Sequence, residues 1–179
     1  MIGSTARRVR RSLLALSLVG AAGLALPAVP AAAAAPATHS GSTSLHCQIT
    51  ITLNVTPPAT FTTQNLAVYS DGVTGTGPCT GTANGKAPTG DASFGTATVQ
   101  RASCTGGSGV GTFLLKVPTG SVTKTYTGTY KIQSVVDGSE ISGGLTGSAL
   151  GVDYVDGGGD CIDSPLSRYI AFFDVTLTR

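Results

Sequence analysis

The chain has 179 residues, of which 25 are Gly and 4 are Cys, with no Trp and only 11% charged side chains. That length fits one domain of ordinary size. Four of the 11 basic residues, Arg7, Arg8, Arg10 and Arg11, precede residue 38, leaving 7 basic against 9 acidic side chains; this weakly acidic remainder lacks the basic footprint of a nucleic-acid-binding protein.

The first element is a leader. Its arginines run into an apolar stretch, Leu13 to Leu26, followed by an Ala/Pro-rich segment ending Ala35-Pro36-Ala37. A basic start, a short apolar core and small residues at the cut are what a signal peptidase recognises, so residues 1–37 are expected to be a signal peptide cleaved after Ala37. The apolar run is too short for the ~30 Å of hydrocarbon that a helix rising ~1.5 Å per residue must cross. No later stretch reads as a spanning helix, so the exported form is expected to have no membrane span. Residues 38–44 read as a flexible N-terminal segment and residues 45–179 as a single all-β domain. In an exported chain Cys47, Cys79, Cys104 and Cys161 are expected to form two disulfides. No C-x-x-C pair suggests zinc or redox chemistry, and all three pairings stay open.

Leu45, Cys47, Ile49, Ile51, Leu53 and Val55 alternate with polar residues, the pattern of a half-buried strand. Pro57-Pro58 is expected to end it, because proline cannot donate to a ladder. Further strands are predicted at about 60–69, 79–84, 92–104, 110–117, 122–133, 141–154 and 166–178. Gly106-Gly107-Ser108-Gly109, Pro118-Thr119-Gly120 and Asp137-Gly138 read as turns between them. No window carries a helical period. Eight or nine antiparallel strands imply a β-sandwich or a closed β-barrel. Gly-Thr pairs at Gly81, Gly95, Gly111 and Gly128 lie in or beside strands, which suggests tight sheet packing or simple compositional bias. Strict up-and-down alternation of these eight segments strands Cys161 at the opposite end from the other three cysteines. Either 141–154 is two strands hinged at Gly147 or the order is a Greek key; the second is preferred.

Groups able to do acid–base chemistry are few. His39 falls in the N-terminal segment, His46 sits on the polar face of the first strand, and Glu140 is the only glutamate. No G-x-S-x-G elbow or phosphate loop is present. Asp153, Asp156, Asp160 and Asp163 surround Gly157-Gly158-Gly159 and offer hard oxygen ligands suited to calcium, although the spacing matches no EF-hand. Calcium is the one cofactor the sequence suggests, and a solvated acidic turn is the alternative. Tyr126 and Tyr130 share a strand face and could line a ligand site or the core. These features favour a secreted, non-catalytic binding or structural module of the extracellular space or cell envelope. A barrel enzyme using loop carboxylates, or a protease inhibitor with a loop tethered near Cys79, are the alternatives.

Overall fold

A computed structural model describes residues 41–135, 138–152, 155 and 157–179. They form ten strands and no helix: β1 (Ser44–Ala59), β2 (Gln64–Tyr69), β3 (Gly75–Gly77), β4 (Cys79–Thr82), β5 (Ala92–Ser103), β6 (Gly106–Thr119), β7 (Val122–Val135), β8 (Gly138–Gly143), β9 (Thr146–Val152) and β10 (Leu166–Thr178). All pairings are antiparallel. From β5 to β10 each strand pairs with the next, β10 pairs with β1, and β2 and β3 link β1 to β5. The hydrogen-bonded ring therefore closes on itself. No helix among the described residues is long and apolar enough to cross a membrane.

β2, β3 and β4 behave as one interrupted strand. Thr56, Asn54, Thr50, Cys47 and Ser44 of β1 face Ala67, Tyr69, Thr76, Cys79 and Thr82 in turn, so the three segments run in one direction along β1. Counted that way the ring has eight staves in simple up-and-down order. The Greek key expected from the cysteine positions is thus overturned, for two reasons. Residues 64–82 make one pass where two strands were expected, and 138–152 make two passes where one was expected. The reversal in the second lies at Gly143-Gly144-Leu145 rather than at Gly147: Gly143 has a φ of 106°, a left-handed conformation glycine adopts without strain, and Leu145 turns inward. The two miscounts cancel in number but not in direction. Together they bring Cys161 to the same end as Cys104.

Two smaller boundaries also differ. Gly106 to Gly109 is not a turn but the start of β6, pairing with Ser103 to Gln100. Pro57-Pro58 does not end β1; the pairing with β10 skips from Asn54 to Ala59, which meets Leu166 in a shifted register. Ahead of β1, Thr43 exchanges both backbone hydrogen bonds with Arg179, at 2.9 Å each.

Alternation decides what fills the ring. Leu45, Cys47, Ile49, Ile51, Leu53 and Val55 point inward from β1, opposite Leu177, Val175, Phe173 and Ala171 of β10. Phe94 is fully buried and its ring lies 5.3 Å from that of Phe173. Glycines admit the larger rings: a Cβ on Gly111 would stand 2.6 Å from the Tyr130 ring and 2.4 Å from Thr98. Cβ atoms on Gly81 and Gly95 would meet carbonyl oxygens at 2.1 and 2.4 Å. The Gly-Thr pairs therefore mark close packing rather than mere composition.

Both disulfides form, Cys47–Cys79 and Cys104–Cys161, and no described cysteine is free. The first staples β1 to β4 near the start of β1. The second ties the end of β5 to the loop before β10, at the opposite end of the barrel.

Candidate functional site

The barrel's two ends are finished differently. Where β1 begins, Ala83, Ala92, Val117 and Leu145 are buried together. Thr43 Oγ1 donates to Asn84 Oδ1 (2.8 Å) and lies 3.1 Å from the Tyr126 hydroxyl. The Arg179 guanidinium sits over the Tyr126 ring, 6.0 Å from its centroid, and donates to the Thr127 carbonyl. Core and hydrogen bonds together shut this end.

At the other end a recess of about 390 Å³ opens beside the Cys104–Cys161 bridge. Val55, Ala59, Leu66 and Val68 form an apolar wall, while Gln100, Ser134 and Ser139 supply polar groups. Phe61, Val135 and Ile162 stand exposed around the rim. Below it, a cavity of about 30 Å³ reaches Thr96, Thr98 and Tyr130. Gln100, Ser139 and Tyr169 line both spaces, so they form the floor of one and the roof of the other. A ring of eight strands leaves an interior just wide enough for side chains or one small ligand. Here side chains fill one half and leave room in the other.

The polar column inside comes from β5. Thr96, Thr98 and Gln100 are all buried, although they share a face with Ala92 and Phe94. Each is anchored, as buried polar groups must be. Thr96 Oγ1 donates to the Thr112 carbonyl (2.9 Å) and lies 2.6 Å from the Tyr130 hydroxyl. Thr98 Oγ1 donates to the Val68 carbonyl (3.2 Å) and accepts from Gln100 Nε2 (2.9 Å). Burial pushes the Tyr130 phenol above its ordinary pKa, and the Thr96 hydrogen bond offsets part of this. Ser139 Oγ donates to Ser134 Oγ at 2.8 Å.

A second depression of about 380 Å³ lies on the outer face of β6–β8, beside Lys131 and Glu140. Its polar side chains belong to the solvent-facing side of the sheet. The recess at the open end differs in holding a polar side chain, Gln100, that is itself buried.

The residues singled out in the sequence fall in separate places. Tyr126 and Tyr130 both point inward; Tyr126 belongs to the closed end, whereas Tyr130 borders the inner cavity. Asp153 and Asp156 lie outside the described residues. Asp160 is exposed on the recess rim, and its Oδ1 accepts from the amides of Ile162, Asp163 and Ser164 at 2.9, 2.8 and 3.2 Å. These amides hold its carboxyl below the ordinary carboxylate range, with Asp163 contributing most. Asp163 is exposed beside it. Among the described residues no three His, Cys, Asp or Glu side chains gather as a metal-binding group. His46 lies on the outer surface, paired with Asp174 across β1 and β10 and remote from the recess. Cys79 sits in the ladder opposite Cys47, not on a projecting loop of the kind a protease inhibitor presents.

Gln100, Ser134 and Ser139 were not legible as site residues. A signal existed in β5, where polar Thr96, Thr98 and Gln100 share one parity while Ala97 and Val99 share the other. Val99 is 70% exposed and Gln100 only 7%, an inversion of the usual pattern. No protein-family model matches the chain, and no curated protein or solved structure matches it.

Proposed function

We propose that this chain is an exported, non-catalytic binding module that holds a small molecule in the open end of its barrel. The observation carrying this reading is the asymmetry of the ends: one is packed shut, and the other has a recess of about 390 Å³ with an apolar wall, the buried Gln100 and the half-buried Ser134 and Ser139. Ligand sites of roughly 300–1,000 Å³ have this mixed lining. Catalysis needs two or more titratable groups converging on one space. Asp160 and Tyr169 are the only titratable side chains among the described lining residues, and one Asp160 oxygen already serves three amides. Export rests on the leader and on two disulfides, which persist in oxidising compartments. Mass spectrometry of the exported form should read a chain beginning at Thr38 with no thiol that alkylates before reduction.

Binding is tested with the neutral dye N-phenylnaphthylamine, which brightens in apolar surroundings. Wild-type protein should enhance its fluorescence saturably. Ser139→Trp, which places a large ring between the recess and the inner cavity, should abolish that enhancement; Val99→Trp, on the outer face, should not. Equal responses from the two variants would end this reading.

A further inference from the structure

We infer that the recess takes an uncharged molecule with a compact apolar body and a carboxamide- or lactam-type end seated on Gln100. This rests on the binding reading above and names its ligand class. Gln100 is more than nine-tenths buried, yet among the described residues its carboxamide makes a single hydrogen bond, from Nε2 to Thr98 Oγ1 at 2.9 Å. Because the Thr98 hydroxyl proton goes to the Val68 carbonyl, Thr98 must accept from Gln100, and this fixes which way the carboxamide faces. A carbonyl acceptor and a second N–H then remain, in one plane, on a side chain that lines the recess. Their natural complement is another planar group with one donor and one acceptor, as in an amide or lactam. Across the recess, Ser139 gives its proton to Ser134, so Ser134 keeps a hydroxyl proton for a further acceptor.

Charge selects further. No cationic side chain lines the recess among the described residues, so a carboxylate or phosphate entering it would lose water without gaining a partner. Asp160, at the rim, adds repulsion toward anions. The apolar wall of Val55, Ala59, Leu66 and Val68 instead rewards a hydrocarbon body. A polar floor, an apolar wall and an anionic rim describe a neutral amphipathic ligand.

The test uses three probes of one shape on the exported chain: naphthalene, naphthalene carboxamide and naphthalene carboxylate. Titrations should show the carboxamide binding at least about tenfold tighter than naphthalene, roughly one good hydrogen-bonded contact, with the carboxylate weakest. Gln100→Met, close in volume, should bring the carboxamide level with naphthalene. In wild type the side-chain amide resonances of Gln100 should shift with the carboxamide and not with naphthalene, a readout that needs no variant. If naphthalene and its carboxamide bind wild type equally, or the amide keeps its advantage in Gln100→Met, the ligand class is wrong while the binding reading stands. If none of the three binds, both fall.

Discussion

At the end where β1 starts and β10 finishes, inward positions carry Leu45, Leu177, Val117 and Leu145, and a Thr43–Asn84–Tyr126 group seals the opening. At the end where β1 finishes and β10 starts, Val55 and Ala59 of β1, Gln100 of β5 and Ser139 of β8 surround a space. The strands and their alternation are common to both ends; side-chain volume and polarity are not. The barrel is thus a scaffold in which one half supplies stability and the other gives it up to keep a polar-floored recess. Polar residues at interior positions are a local conflict with the all-apolar core, and such conflicts concentrate at functional sites.

That contrast makes a mutational forecast. Phe94→Ala, in the filled half and packed against the tilted ring of Phe173, should destabilise by about 3–5 kcal/mol. Leu66→Ala, on the recess wall, should cost about 2 kcal/mol, near the lower bound for a buried leucine, since the space it leaves joins one already present. Urea denaturation measures both. Equal losses would mean the recess half is packed as tightly as the closed half.

The two disulfides sit at opposite ends of the barrel. Removing either bridge should lower stability by about 2–4 kcal/mol, because each constrains the unfolded chain over a long loop. Only Cys104→Ser with Cys161→Ser should also weaken dye binding, since that bridge holds the loop bordering the recess. Cys47→Ala with Cys79→Ala, studied below its denaturation midpoint, should bind dye as wild type does. Loss of binding in this second variant would show that the ends are coupled and not independent.

Much of the architecture was legible in the chain. The unbroken alternation of Leu45 to Val55 identified the longest buried strand, and the even cysteine count anticipated two bridges. Strand direction was not legible, and the reasons are physical. Residues 70–74 interrupt a single pass along β1, yet Asp71-Gly72 looks like the turn that would reverse it. Gly143-Gly144 does reverse the chain, inside a stretch whose apolar residues read as one strand. The site was harder still. Acidic and aromatic residues drew attention because their chemistry is conspicuous, whereas Gln100 matters through burial and through what Thr98 leaves unpaired, and neither is visible without the pairing of β5.

Two tyrosines on one strand offer a finer probe of the two ends. Tyr126→Phe and Tyr130→Phe each delete one hydroxyl and should each cost about 1 kcal/mol, the net worth of a typical hydrogen bond. Their local effects should separate. Tyr126→Phe should speed amide exchange at Thr43 and Arg179, whose mutual pairing it helps to hold, and leave dye affinity unchanged. Tyr130→Phe should leave that exchange unchanged and alter dye affinity by removing a hydroxyl from below the recess floor. A reversed pattern would misplace Tyr130 relative to the site.

The smallest expected effect is at Asp160, and its sign follows from its hydrogen bonds. The amides of Asp163, Ile162 and Ser164 favour the ionised carboxylate, so its folded-state pKa lies below the ordinary Asp value of about 4. A group with a depressed folded pKa contributes stability that is fully present above its unfolded value and is lost as pH falls through the folded one. The rim loop should therefore be unchanged from neutral pH down to about pH 4 and loosen only below it. The side chain is exposed, so salt screens the effect and global stability should hardly register it. Local amide exchange at Ile162, Asp163 and Ser164, corrected for its intrinsic pH dependence, is the suitable measurement. Asp160→Asn keeps an oxygen acceptor for the three amides but removes the charge, and should flatten the acid response while leaving the loop formed at neutral pH. Loosening already between pH 7 and pH 5 would show that some other group holds the rim in place.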